Sequence, residues 1–209
     1  MMATRSLFAL LLTGALLLSP GALGAGAARA EEPAATTNPV VLLETTAGSI
    51  RIELDPERAP RTVENFLRYV KADFYAGTIF HRVLSDFVVQ GGGYNANLRQ
   101  KAALFPPIPL EVKAGARNLR GTVAMARTDD PGSATCQFFI NVEDNPSLDY
   151  DPGQKGENGY AVFGRVTSGM DTLDKIRNVP VAPGSISEAV PTTPVVIKTA
   201  RLLDEGKAR

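Results

Sequence analysis

Cysteine is nearly absent from this chain of 209 residues. Cys136 stands alone, so no intramolecular disulfide can form and the fold must rest on its core. Histidine is equally scarce. With His81 as the only one, an ordinary zinc site cannot be assembled from His and Cys, and neither a metal nor a cofactor is expected. Charge of one sign is missing too, because 22 basic side chains balance 22 acidic ones; no electrostatic footprint is offered to nucleic acid or to an anionic membrane. There is no Gly-x-Ser-x-Gly elbow, which leaves a hydrolase without its nucleophile. The glycines at 91–93 lack the spacing of a dinucleotide-binding loop and are expected to form a tight turn. No internal repeat is present, and past the first twenty residues no apolar run is long enough to span a bilayer.

What is present begins with an address. Arg5, an apolar stretch from Leu7 to Leu18 and the small-residue sequence Ala28-Arg29-Ala30 read together as a cleavable secretory signal over residues 1–30. An uncleaved anchor is the alternative, but the stretch is short for a span and Pro20 follows it at once. Loss of Arg5 and Arg29 with that segment would leave 20 basic against 22 acidic groups, a net charge of −2. Residues 31–39, EEPAATTNP, are polar and proline-bearing and are expected to form a disordered leader. One domain is then expected over 40–204, with a short tail at 205–209.

Within that domain, Val40 to Thr45 and Ser49 to Leu54 flank a Thr46-Ala47-Gly48 turn, and Ile50, Ile52 and Leu54 alternate with polar residues, the period of a half-buried hairpin. Pro60 opens a helical pattern with Val63, Phe66, Leu67 and Val70 on one stripe. Short apolar runs follow at Thr78–Val83, Phe87–Gly91, Thr122–Ala126, Gln137–Val142, Tyr160–Val166 and Val195–Leu203, with a second helix over Met170–Asn178. The stretches Phe105–Pro109 and Val179–Pro194 are expected to be long connections, the kind of loop that often carries binding residues. The expectation is a mainly β protein built as a sandwich or barrel of about eight strands with two helices.

Three segments stand out. They are Phe80-His81-Arg82-Val83 running on to Phe87-Val88-Val89-Gln90-Gly91, then Met125-Ala126-Arg127 with Gln137-Phe138-Phe139-Ile140-Asn141, and Tyr160-Ala161-Val162-Phe163-Gly164. In this order and spacing the chain resembles the cyclophilins from about Val40 to Leu203, and among them the bacterial periplasmic members, whose secretory signal and Tyr-Ala-Val-Phe-Gly segment it shares. The resemblance implies a closed eight-stranded antiparallel β-barrel capped by two α-helices, peptidyl-prolyl cis/trans isomerase activity, and a periplasmic location. It also implies a monomer whose partners are proline-containing unfolded or exported polypeptides, with no nucleic acid and no membrane after signal cleavage.

The reaction sets what the residues must do. Rotation about an X-Pro bond is opposed by amide resonance, with a barrier of about 20 kcal/mol and uncatalysed times of roughly 10 to 100 s. No bond to a nucleophile is needed; a rate of about 10³ per second asks for roughly 7 kcal/mol of barrier lowering, within reach of oriented electrostatics and a shaped pocket. The resemblance assigns the family's catalytic arginine to Arg82, whose guanidinium, aimed at the prolyl nitrogen, would favour the deconjugated amide. Gln90 matches the glutamine that bonds the substrate backbone and helps hold that arginine, and Phe87 completes the expected catalytic group. Phe87, Val88, Phe139, Leu148 and Tyr160 match the walls of the proline pocket, while Ala126, Arg127 and Gln137 fall where the bound main chain is gripped. From spacing alone Arg82 would be a surface arginine in a salt bridge, and the five apolar residues would be barrel core.

The chain departs from the best-known pattern at Val88 for methionine, Arg127 for asparagine, Tyr160 for histidine and Ser147 for tryptophan, and its 149–159 loop is long. His81 is expected to make a buried structural hydrogen bond and Cys136 to be a small buried residue. A second reading stays open: a barrel that holds proline-containing peptides as a chaperone, with little catalysis. Retention of Arg82, Phe87, Gln90 and Phe139 favours the enzyme.

Overall fold

A computed structural model describes residues 38–203 apart from Ala114 and Glu157. The expected signal segment, nearly all of the leader and the tail therefore lie outside the described residues. In chain order the elements are β1 (Val40–Thr45), β2 (Ser49–Leu54), α1 (Pro60–Lys71), β3 (Thr78–Val83), β4 (Val88–Asn95), β5 (Thr122–Met125), β6 (Phe138–Asn141), β7 (Val162–Ser168), α2 (Met170–Arg177), β8 (Val181–Ala182), β9 (Val190–Pro191) and β10 (Ile197–Leu203). Among the described residues no helix is long and apolar enough to cross a membrane.

Eight strands form one sheet in the order β10-β1-β2-β7-β5-β6-β4-β3, antiparallel at every pairing. Its two ends meet through an antiparallel bridge between Ile79 and Val196, supported by the Gly77 N–H on the Ile197 carbonyl at 2.9 Å and the Phe80 N–H on the Val195 carbonyl at 3.0 Å. This makes a barrel closed on seven sides by full ladders and on the eighth by a short seam. The expected connection 179–194 is not structureless, since β8 and β9 pair within it as a two-stranded ribbon.

Period-two alternation divides the strands into two faces. Val89, Val123, Met125, Phe138, Ile140 and Phe163 point into the barrel, while Val88, Ala124, Phe139 and Val162 belong to a separate cluster on the outer wall. The interior is aromatic at its centre: the Phe66 ring from α1 lies 5.5 Å from Phe138 edge-on and 5.1 Å from Phe163. Such pairs add about 0.5–1.5 kcal/mol each beyond burial. Tyr69 of α1 is fully buried where the stripe pattern pointed to Leu67, which is only partly covered.

Helix α1 lacks a side-chain cap of its own, because its N-cap is Ala59. The Glu111 carboxylate supplies one from far along the chain, accepting from the Arg61 N–H at 3.1 Å, the Thr62 N–H at 2.7 Å and the Thr62 hydroxyl at 2.7 Å. An anion at this end also opposes the positive pole of the helix dipole.

Glycines 91–93 do not form the expected tight turn; they lie inside β4. The reason is crowding rather than reversal. A Cβ on Gly91 would sit 2.7 Å from the Phe80 ring, and one on Gly92, whose φ is +87°, would sit 2.8 Å from the Tyr75 ring. Only glycine admits these rings against the strand.

Candidate active site

The outer-wall cluster is the floor of a shallow cleft of ≈ 70 Å³, lined by Arg82, Phe87, Val88, Gln90, Ala126, Arg127, Phe139, Leu148 and Tyr160. Of the ten residues that the resemblance assigns to catalysis or substrate binding, Gln137 alone is not part of this lining. The apolar five are outer cleft rather than barrel core, a distinction that spacing alone could not make. Phe139 and Tyr160 meet edge-on with ring centroids 5.4 Å apart, and the small Ala124 is the cross-strand neighbour of Phe139 in the same cluster.

Local structure explains why these side chains converge. Val88 and Phe139 stand on adjacent strands β4 and β6, on the face opposite to the barrel interior. Leu148 ends a 3-10 turn over Pro146–Leu148, and the Tyr160 N–H donates to its carbonyl at 3.1 Å, so the long 149–159 loop is pinched at its base. Ser147 is exposed on that turn and outside the cleft lining. A buried chain of amides then holds the turn to the barrel. Asn118 Nδ2 donates to the Leu148 carbonyl at 2.9 Å, Asn141 Nδ2 to Asn118 Oδ1 at 3.2 Å, and Asn145 Nδ2 both to Asn141 Oδ1 at 2.7 Å and to the Phe87 carbonyl at 2.9 Å. Asn118 and Asn145 escaped the sequence reading, since an asparagine in a loop carries no signal that its partners are buried.

Arg82 and Gln90 face each other across β3 and β4, yet no hydrogen bond joins their side chains. Gln90 Nε2 donates instead to Gln137 Oε1 at 3.1 Å. The guanidinium turns to Glu188 in the β8–β9 loop: Nε donates to Oε1 at 2.9 Å and Nη2 lies 2.8 Å from the same oxygen. That hydrogen bond to Arg82 is the main reason the Glu188 carboxyl is held down at about 2, from 4.5. Glu188 was not foreseen, because nothing in a 16-residue connection marks which of its side chains turns back to the barrel. The Arg82 guanidinium carbon is also 6.0 Å from the Phe87 ring centroid.

Arg127 spends its donors locally. Nε and Nη2 donate to the Gly159 carbonyl at 3.1 and 3.0 Å, Nη1 to the Thr128 carbonyl at 2.8 Å, and the group stacks 4.8 Å over Tyr160. Beside it the Ala126 N–H is bonded to the Gln137 carbonyl at 3.0 Å. His81 is buried against Tyr94 at 4.6 Å, and its Nδ1 has no hydrogen-bond partner among the described residues. Burial first, and the Arg82 charge second, lower its pKa to about 4, so it is neutral near pH 7. Cys136 is buried as expected, and burial pushes its thiol up.

Barrel and cleft together present Phe87, Val88, Phe139, Leu148 and Tyr160 beside two arginines, Arg82 and Arg127, and the amide of Gln90. Comparison with known proteins makes the class specific. The family described as cyclophilin type peptidyl-prolyl cis-trans isomerase/CLD matches residues 40–202, and the chain belongs to that family of isomerases. Peptidyl-prolyl cis-trans isomerase A of Dickeya dadantii is 51% identical over 170 residues, covering 81% of this chain and 87% of the relative. The isomerase cyp18 of Streptomyces antibioticus is 52% identical over 163 residues, covering 78% and 98%. Isomerase B of Escherichia coli is 44% identical over 160 residues, covering 77% and 97%. Among solved structures, a cyclophilin-type isomerase of Cryptosporidium parvum shares the fold with a TM-score of 0.65 at 24% identity, over 79% of this chain and 98% of that one. A second structure of that protein, solved in the presence of the dipeptide Ala-Pro, gives a TM-score of 0.64 at 25% identity, over 78% and 98%.

Proposed function

We propose that this isomerase accelerates X-Pro rotation in exported polypeptides and assists their folding, with Arg82 acting on the prolyl amide over a pocket formed by Phe87, Val88, Phe139, Leu148 and Tyr160. The observation that carries the reading is the guanidinium of Arg82 in the lining of a recess of ≈ 70 Å³ that also holds Phe87, Val88, Phe139, Leu148 and Tyr160, the scale of one small ring rather than a large ligand. Donation to the prolyl nitrogen stabilises the twisted amide, whose lone pair has left conjugation, more than the planar one; this lowers the barrier without any covalent step. In this reading Gln90, whose Nε2 donates to Gln137, bonds the substrate backbone, and Ala126 and Arg127 flank it. The Ala-Pro dipeptide named for the C. parvum structure supports an occupant of that kind.

Replacement Arg82→Ala is expected to lower turnover on an Ala-Pro peptide at least about a hundredfold, equivalent to about 2.7 kcal/mol, with the far-UV spectrum unchanged. Near-native turnover would overturn the role given to Arg82.

Export to the periplasm as a monomer is the cellular part of the proposal, and it rests on the signal pattern of residues 1–30 together with the bacterial relatives. The mature protein should begin at Glu31 after cleavage behind Ala30. Mass spectrometry of the protein from producing cells checks it, and an intact Met1 in the cytosolic fraction would refute it.

A further inference from the structure

We propose that Glu188 is the positioning residue for Arg82, a carboxylate that grips one edge of the guanidinium and leaves the opposite end free for the prolyl amide. The inference rests on the catalytic reading of Arg82 and adds the group that aims it. A guanidinium presents Nε and Nη2 along one side, and both meet the same Glu188 oxygen, at 2.9 and 2.8 Å. Nη1 makes no hydrogen bond among the described residues. The cation is thus anchored by one flank with its remaining donors uncommitted, the arrangement a directed donor requires.

The loop that carries Glu188 is organised around this grip. Ser187 Oγ donates to the second carboxylate oxygen at 3.1 Å and accepts the Ala189 N–H at 3.2 Å, while the Gly184 N–H closes the turn on the Ser187 carbonyl at 2.9 Å. The Val83 N–H donates to the Ala189 carbonyl at 2.9 Å, tying this loop to the strand residue that follows Arg82. Gln90, the cross-strand neighbour that might have served, is committed to Gln137. The Glu188 side chain is 59% exposed and that of Arg82 27%, and an ion pair so open to water adds little to stability. Its effect falls on orientation, because an unpaired arginine on four rotatable bonds would sample many directions besides the productive one.

Steady-state kinetics of the mature protein on an Ala-Pro tetrapeptide test this with Glu188→Ala, Glu188→Gln, Arg82→Ala and the Arg82→Ala/Glu188→Ala double variant. Glu188→Ala should lower kcat about tenfold with KM within about twofold, since Glu188 is not a wall of the cleft. Glu188→Gln, whose amide oxygen still accepts from Nε and Nη2, should recover to within about threefold of native. The double variant should be no slower than Arg82→Ala, and the melting temperature of Glu188→Ala should match the native protein. A native-like kcat in Glu188→Ala, a loss carried by KM, or a glutamine variant as impaired as the alanine would overturn the positioning role. If Arg82→Ala itself keeps near-native turnover, it is the catalytic reading that fails; if Arg82→Ala is inactive and Glu188→Ala is native-like, only the positioning fails.

Discussion

Asn145 Nδ2 donates to the Phe87 carbonyl at 2.9 Å while its other proton bonds Asn141 Oδ1 at 2.7 Å, so one buried amide joins a cleft wall to the end of strand β6. The same chain of asparagines reaches the Leu148 carbonyl through Asn118. Two walls of an outer-surface pocket are therefore located by backbone carbonyls, independent of what the side chains themselves pack against.

Asn145→Ala should accordingly cost about 2 kcal/mol of stability, because two buried acceptors lose their donor. More telling is the kinetic outcome: KM for a prolyl peptide should rise severalfold as Phe87 shifts, while Arg82 and its turnover per bound substrate stay intact. Urea unfolding together with steady-state assays would check both. A variant that is destabilised yet binds peptide like the native protein would show that the network holds the fold and not the pocket.

Glu111 offers a purely structural test. It is the anion at the start of α1, bonded to two backbone N–H groups and one hydroxyl, and Glu111→Ala should destabilise the domain by about 1–2 kcal/mol, the range of a lost cap. Glu111→Gln should lose less, since the amide oxygen still accepts but the charge facing the helix dipole is gone. Thermal melts at matched salt distinguish the two. Equal stability of all three proteins would remove the cap from the account of the fold.

The lone histidine makes a pH prediction unusually clean to measure. His81 has a folded pKa near 4 against 6.5 when exposed, so between those values the unfolded chain binds the additional proton. Stability is therefore undiminished by this group above about pH 6.5, falls as pH drops toward 4, and loses about 3 kcal/mol at most from it. Glu188, whose folded pKa near 2 is held below 4.5 by Arg82, is too exposed for that shift to add much to stability at any pH. In untagged protein the single imidazole resonance should titrate near pH 4 by NMR; a midpoint at 6 or above would contradict the burial that sets it.

The strands were largely legible in the sequence, because β2 announces itself through period-two patterning beside a punctuating turn, and β3 through a short apolar run whose bounds fall on the expected Thr78 and Val83. Local crowding was not legible. Gly91 to Gly93 read as a turn because their reason for being glycine, the Phe80 and Tyr75 rings and the Gln137 side chain pressed against the strand, comes from other parts of the chain. The cleft residues Phe87, Val88, Phe139, Leu148 and Tyr160 were found through motif resemblance, and hydrophobicity alone would have placed them inside the barrel. Glu188 and the asparagine network stayed hidden for a related reason: the Glu188–Arg82, Asn118–Leu148 and Asn145–Phe87 contacts each span more than twenty positions of sequence and have no period.

The cleft lies on the outside of the barrel wall, with its floor on β4, β5, β6 and β7 and the lumen filled by side chains behind it. A pocket inside the lumen would have to be threaded by a free chain end. An open-sided recess has no such topological demand, so a proline in the middle of a long polypeptide can lean in from solvent and leave again without either terminus ever passing through the protein.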